Sequence, residues 1–220
     1  MSKIIIFGTQ DFASLAHFYL KNDSEHEVVA FSLDKEYVTK NRLFEGLPVV
    51  EFNNIESVYS PKQFSFFAPL SPSGMNKPRK NIYNKIKNKG YKLISYVSSK
   101  ATTFPGLKIG DNCFILENNT IQPYTEIGNN VVLWSGNHIG HHSKINSHVL
   151  FTSHVVLSGH CVVESYCFFG VNSTIMDGLT IAEGTLVGMG ASITKDTESY
   201  GVYGGRHSKK TPNIISTDIF

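Results

Sequence analysis

From Ile109 to Thr197 the chain reads IGDNCF-ILENNT-IQPYTE-IGNNVV-LWSGNH-IGHHSK-INSHVL-FTSHVV-LSGHCV-VESYCF-FGVNST-IMDGLT-IAEGTL-VGMGAS-ITKDT. Every block opens on a large apolar residue, from Ile109, Ile115 and Ile121 through to Ile181, Val187 and Ile193, with no slip of frame. The fifth residue of each block is mostly small, as at Cys113, Thr125, Ser143, Cys161 and Ala191. A helix repeats its face every 3.6 residues and a strand every two, so neither alone gives a period of six. Period six is the mark of a hexapeptide parallel β-helix, in which each hexapeptide makes one flat side of a triangular coil. The large residue fills the interior, and the small one lies inside beside the corner. Three blocks close a coil, and residues eighteen apart stack on one face.

Ahead of this repeat the pattern changes. Lys3-Ile4-Ile5-Ile6-Phe7 is a β-branched run ending at Gly8, as a buried parallel strand reads. Gly8-Thr9-Gln10-Asp11 turns into a segment with helical spacing at Phe12, Leu15, Ala16, Tyr19 and Leu20, stopped by Asn22-Asp23-Ser24. Glu27–Ser32 is a second strand, followed by Asp34. This β-α-β unit puts a helix N-terminus after the first strand and an acid after the second. Dinucleotide folds use those two places for phosphate and ribose. Only Gly8 of the glycine fingerprint is present, which argues against a full NAD site and leaves room for a smaller nucleotide or a purely structural unit. Further on, Leu47–Val50 reads as a short edge strand, Ile55–Tyr59 as a short helix and Phe64–Ala68 as a buried strand. Met75–Lys89 reads as a basic amphipathic helix with Pro78 near its start, and Tyr91–Val97 as a last strand. The loops Gly8–Asp11, Asp34 and Leu70–Gly74 should gather at one edge of an open α/β sheet. The expected division is residues 1–100, a small Rossmann-like α/β domain, and residues 101–220, a left-handed parallel β-helix with a tail. Tyr200–Gly205 and the polar residues beyond are expected to cap the prism or meet another subunit.

The 220 residues are 41% hydrophobic and 17% charged, with a net charge of +2. Such a balance gives no pull toward nucleic acid or a membrane surface. No apolar run is long enough to span a bilayer, and the N-terminus lacks a signal-peptide pattern. All three cysteines (Cys113, Cys161 and Cys167) fall on the inward small position, where they read as buried small hydrophobes in a reducing cytoplasm.

Chemistry concentrates between His138 and His160, which hold six of the nine histidines. His141 is third in its block, and His142, His148, His154 and His160 are fourth in theirs. Both positions point outward, and His142 and His160 should stack one coil apart. Outward histidines, with the apolar Trp134 on a prism face, suit burial between subunits, and such prisms usually form trimers. One of these histidines would suffice as a general base. A metal site needs ligands converging on one ion. With no acidic or cysteine side chain facing outward beside His142 and His160, no metal is expected.

Gly136-Asn137-His138-Ile139-Gly140-His141-His142-Ser143-Lys144-Ile145, with the unbroken hexapeptides and the β-α-β unit ahead of them, resembles the sugar O-/N-acyltransferases of the left-handed β-helix class. Within that class it is similar to the sialic-acid O-acetyltransferase-like family, which includes N-acetyltransferases acting on nucleotide-linked 4-amino sugars. The resemblance implies a homotrimer with active sites between neighbouring β-helices and acetyl-CoA as co-substrate. It implies His141 as the catalytic base with His142 beside it, and the thioester near Ser158 and Gly159. It places the nucleotide on Gly8, Thr9, Gln10, Asp11 and Asp34. Three departures stand out. Relatives place a carboxylate directly after the base, where this chain has His142. Their first loop often carries Gly-Gly-His, where this chain has Thr9-Gln10-Asp11. Their Gly-x-Pro-Ala-Lys ending is replaced by Gly205-Arg206-His207-Ser208-Lys209, leaving Arg206, Lys209 and Lys210 to meet the CoA phosphates. The expected activity is N-acetylation of a nucleotide-linked deoxyamino sugar in bacterial surface glycan biosynthesis. The competing readings are O-acetylation of a sialic acid, a carbonic-anhydrase-like metal lyase on the same fold, and a non-catalytic scaffold. The lyase reading is weakened because no two histidines are five residues apart.

Overall fold

A computed structural model of the chain describes residues 2–39 and 42–205. The chain begins as an open, mostly parallel sheet. Strand β1 (Lys3–Phe7) leads through helix α1 (Asp11–Asn22) to β2 (Glu27–Leu33). A two-residue strand β3 (Leu43–Phe44) turns back onto β4 (Leu47–Glu51). Then follow β5 (Phe64–Phe67), helix α2 (Lys77–Asn88) and β6 (Lys92–Leu93). The strand order is β3-β4-β2-β1-β5-β6. The chain winds from β1 to β2 on one side and later returns to the other side of β1 at β5. The crevice between the loops after β1 and β5 is therefore the topological switch point, where sheets of this kind bind ligands. Leu47–Glu51 is not the edge expected of it, because the β3 hairpin covers its outer side. Ile55–Ser57 is a single 3₁₀ turn.

From Tyr96 the chain coils. Three parallel sheets form the sides of a prism, built from two-residue strands eighteen apart, such as Phe114–Ile115, Val132–Leu133 and Leu150–Phe151 on one side. The second side carries Thr120–Ile121, His138–Ile139 and Val156–Leu157, and the third Glu126–Ile127, Lys144–Ile145 and Val162–Val163. This is the left-handed β-helix that the period of six calls for. The large series is the interior: Ile115, Leu133, Phe151, Phe169 and Val187 are all fully buried, and the Phe151 and Phe169 rings stack at 4.2 Å. The small series is buried too, with Asn119 and Asn137 as an internal ladder. Asn119 Oδ1 accepts from the Asn137 amide, and Asn137 Oδ1 from the Val155 amide. All three cysteines lie in this interior, where burial pushes their thiols up, Cys113 to about 11.

The fourth position of each block makes the corner, in the left-handed region: Asn112 φ 56°, Asn130 φ 56°, His142 φ 58°, His148 φ 65°, His154 φ 59°, His160 φ 58°. Asn, Gly and His tolerate that conformation better than most residues. The fourth-position histidines His142, His148, His154 and His160 thus stand on the corners of the prism and not on its flat faces.

Two segments cross the expected boundaries. Tyr91–Val97 is not one strand. It breaks at Ile94-Ser95, with Lys92–Leu93 in the α/β sheet and Tyr96–Val97 already the first rung of the prism. At the other end Val202–Tyr203 adds a rung beyond Thr197 by pairing with Leu186–Val187.

The α/β layer covers one prism face. Outward Phe114, Val132 and Leu150 are buried against α1 and the sheet, in one apolar cluster with Ile4, Ala16, Leu20 and Phe67. Trp134 belongs to this contact, half-buried and edge-on to Phe12 at 5.3 Å, and does not stand open on a prism face. Helix α2 covers a corner. Its Arg79 is 1% exposed and donates to Asn76 Oδ1 at 2.7 Å and to the Asn130 carbonyl at 2.7 Å; burial draws the guanidinium down to about 10. His148 faces out of the prism but is closed over by α2 and stands edge-on to Tyr83. No helix among the described residues is long and apolar enough to cross a membrane.

Candidate active site

His141 and His142 form the turn between His138–Ile139 and Lys144–Ile145. Inter-coil hydrogen bonds fix their backbone. The His141 amide donates to Gln122 Oε1 at 2.9 Å, the His142 amide to the Pro123 carbonyl at 3.3 Å, and the His160 amide to the His141 carbonyl at 2.9 Å. Both side chains are exposed.

The two rings meet at Nδ1, 3.0 Å apart. One of these nitrogens must carry the proton that the other accepts. When His141 donates, its Nε2 keeps a free lone pair and can take a proton from a substrate. His142 is then neutral, with its own proton on Nε2. It holds the tautomer and ring plane that a carboxylate would otherwise hold, without supplying a negative charge. His142 is itself held in a ring column with Tyr124 at 4.6 Å and His160 at 4.9 Å, the latter stacked at 13°. The His160 ring stands edge-on to His141 at 5.0 Å.

Gly159 makes room for His141. A Cβ on Gly159 would fall 2.8 Å from His141 Cε1 and 3.0 Å from Nε2. The Gly159 amide donates to no acceptor among the described residues, so it is open beside the ring nitrogen that would take a proton. Ser158 is more committed. Its amide donates to the Ile175 carbonyl at 3.1 Å, and its carbonyl accepts from Ser143 Oγ at 3.1 Å. His141, His142, Ser158 and Gly159 thus come together as one cluster. Gln122, Tyr124 and His160 join it; the signal that finds Tyr124 and His160 is the spacing of eighteen on either side of His142.

The second cluster is a cleft of about 520 Å³ at the switch point. Gly8, Gln10 and Asp11 line it with Phe12, Leu15, Pro69, Leu70 and Ser71, and Trp134 closes it from the prism. Gly8 has φ +114°, and a Cβ there would touch Leu70 at 3.4 Å. Thr9 and Asp34 lie outside this lining. Thr9 is turned inward, where its hydroxyl accepts from Arg42 at 3.1 Å, and Asp34 Oδ1 lies 3.5 Å from Lys85 Nζ. Asp11 stands in the first turn of α1, where a carboxylate already meets the helix dipole. That placement favours a base or sugar face on the apolar walls over a phosphate at the helix end. Trp134 is the second residue of its block and His141 the third of the next, seven residues and at most about 25 Å of chain apart. Arg206, Lys209 and Lys210 lie outside the described residues.

The family described as bacterial transferase hexapeptide (six repeats) matches residues 106–141. The whole chain is similar to perosamine N-acetyltransferase from Caulobacter crescentus, solved as a histidine-to-asparagine variant with CoA and GDP-perosamine. The TM-score is 0.83 at 20% identity, over 93% of this chain and 94% of that one. It is similar to the acetyltransferase domain of PglB from Neisseria gonorrhoeae, with TM-score 0.78 at 18% identity over 93% and 97% of the two chains. WeeI from Acinetobacter baumannii matches with TM-score 0.77 at 17% identity over 93% and 97%. At these identities the likeness establishes a shared fold from the α/β layer through the β-helix.

Proposed function

We propose that the chain is an acetyl-CoA-dependent N-acetyltransferase acting on the amino group of a nucleotide-linked deoxyamino sugar, in a cytoplasmic step of bacterial surface glycan (lipopolysaccharide) biosynthesis. The observation that carries this reading is His141, exposed, held through Nδ1 by His142, with its Nε2 over Gly159 and beside an unengaged amide. The CoA and GDP-perosamine bound by the Caulobacter enzyme support it from the side of the ligands.

In this reading residues 1–100 hold the nucleotide sugar and residues 101–220 carry the transfer. The amine nitrogen attacks the thioester carbonyl, and His141 Nε2 takes the proton lost as the N–C bond forms. The Gly159 amide donates to the oxygen that gains charge. The C–S bond then breaks, and the proton passes from His141 to the leaving thiolate. His142 keeps the His141 ring in place. Buried Cys113, Cys161 and Cys167 take no part, so no acyl-enzyme forms.

In this reading the acceptor bound in the cleft of one subunit meets the base of the next, as a homotrimer provides. Asp34, outside the lining of the cleft, would meet a part of the nucleotide that extends beyond it. The test is release of free CoA by the purified protein with acetyl-CoA and a panel of UDP-, dTDP- and GDP-linked amino sugars, with sialic acid as the hydroxyl control. Turnover with an amino sugar and not with sialic acid is expected. Turnover with sialic acid alone would reassign the enzyme to O-acetylation, and no CoA release with any acceptor would refute the reading. Sedimentation as a monomer at micromolar concentration would refute the shared site.

A further inference from the structure

The three rings at the His141 corner do more than orient a base. His141, His142 and His160 each offer one ring nitrogen, and these atoms all lie within 4.8 Å of one another. His141 Nδ1 and His142 Nδ1 are 3.0 Å apart. Zinc holds imidazole nitrogens at about 2.0–2.1 Å, which in a tetrahedron sets neighbouring donors about 3.4 Å apart. The His142 and His160 rings are stacked at 13°, so the exposed His160 ring must turn out of that stack, and the His141–His142 pair open slightly, for all three lone pairs to meet at one ion. The three backbones are fixed by the inter-coil bonds of the prism, so the donors are presented from a rigid frame. The sequence argument against a metal asked for an acid or cysteine beside His142 and His160; the fold supplies His141 as the third ligand instead. An all-imidazole set suits zinc, copper, nickel or cobalt and not magnesium or calcium.

We infer that His141, His142 and His160 bind one zinc-class divalent cation, and that its binding switches the acyl transfer off. The first half stands on the cluster alone; the second rests on the acyltransferase reading above. The physical reason for the switch is proton bookkeeping. A neutral imidazole has one proton and one lone pair. With Nδ1 of His141 on the cation, its proton is on Nε2, and no ring nitrogen is left to accept one from the substrate. The cation also breaks the contact to His142 that sets the ring plane. Three ligands leave the fourth position of a tetrahedral zinc to water.

The test uses the full-length protein stripped of metal, then dialysed against limiting zinc and measured by atomic absorption, with cobalt as a visible probe of tetrahedral coordination. One zinc per chain is expected for the wild type and none above background for His160→Ala. Acetyl transfer is compared with and without equimolar zinc within each protein, so that basal rates drop out. A fall of about a hundredfold, the size of a lost general base, is expected for the wild type and is reversed by a chelator. His160→Ala should not respond. No zinc on the wild type, or equal zinc on His160→Ala, overturns the site. Zinc bound with undiminished turnover overturns the switch. Zinc bound by a protein that transfers no acetyl group even when stripped upholds the site and refutes the acyltransferase reading alone.

Discussion

Gly159→Ala isolates the geometry on which the proposed base depends. Its new Cβ would stand 2.8 Å from His141 Cε1, whereas carbon contacts settle at about 3.5–4.0 Å. The ring must retreat by roughly 0.7–1.2 Å, and a misplacement of about 1 Å costs about 10²-fold in rate, or roughly 2.7 kcal/mol of barrier. The backbone itself accepts alanine, because Gly159 is not among the glycines with positive φ. His141 is exposed and can swing aside, so the melting temperature should hold. Gly140→Ala is the contrast. Its Cβ would fall 2.4 Å from the Ser158 carbonyl carbon and 2.5 Å from the Gly159 nitrogen, backbone atoms that cannot step aside. That variant should lose about 1–3 kcal/mol of stability from overpacking. The assay is steady-state kinetics with both substrates beside thermal unfolding of the two variants. A Gly159→Ala enzyme with wild-type kcat would refute the placement of the base. So would a raised KM for acetyl-CoA at unchanged kcat, since the methyl would then be blocking the donor.

His141→Ala should lose about 10²- to 10⁴-fold in kcat with its fold intact, and His142→Ala should lose less because it removes only the orienting partner; the reverse order would move the base to His142. Asp34→Ala should raise KM for the nucleotide sugar about 10- to 100-fold and leave KM for acetyl-CoA alone, the size of one charge-assisted hydrogen bond. Its exposed contact with Lys85 adds little to stability, so an unchanged nucleotide-sugar KM would leave Asp34 with no role. Burial, with Arg79 and then Lys80 nearby, holds His148 down at about 4, and its Nδ1 lies 2.9 Å from Asn130 Nδ2, the contact of a neutral ring. The unfolded chain binds that proton from about pH 6.5 downward and the folded chain does not until about 4. Stability should therefore fall as pH drops through that window, by about 1–2 kcal/mol once partial solvent contact is discounted. Urea unfolding of wild type and His148→Asn at the two ends of the window measures the difference, and equal slopes would remove His148 from the account.

The period of six was written in the sequence because each interior position must be apolar whatever surrounds the coil. That alone determined the prism, the inward cysteines and the stacking of His142 on His160 eighteen residues apart. The β-α-β unit was legible for the same reason, since a buried parallel strand and an amphipathic helix each carry their own local pattern. What covers the outside of the prism was not. Trp134 and His148 look alike in sequence to any outward residue, yet Phe12 of α1 packs against one and α2 closes over the other. Arg79 reads as one more cation on a basic helix, and only the docking of α2 on the Asn130 corner buries it. The same holds at the site. His141 and His142 are neighbours in any reading, but their Nδ1 contact, the room left by Gly159 and the convergence of His160 depend on left-handed corners stacked in register. Periodicity reports which way a side chain faces; which atoms it meets there is set by contacts between segments far apart in the chain, and no local pattern carries those.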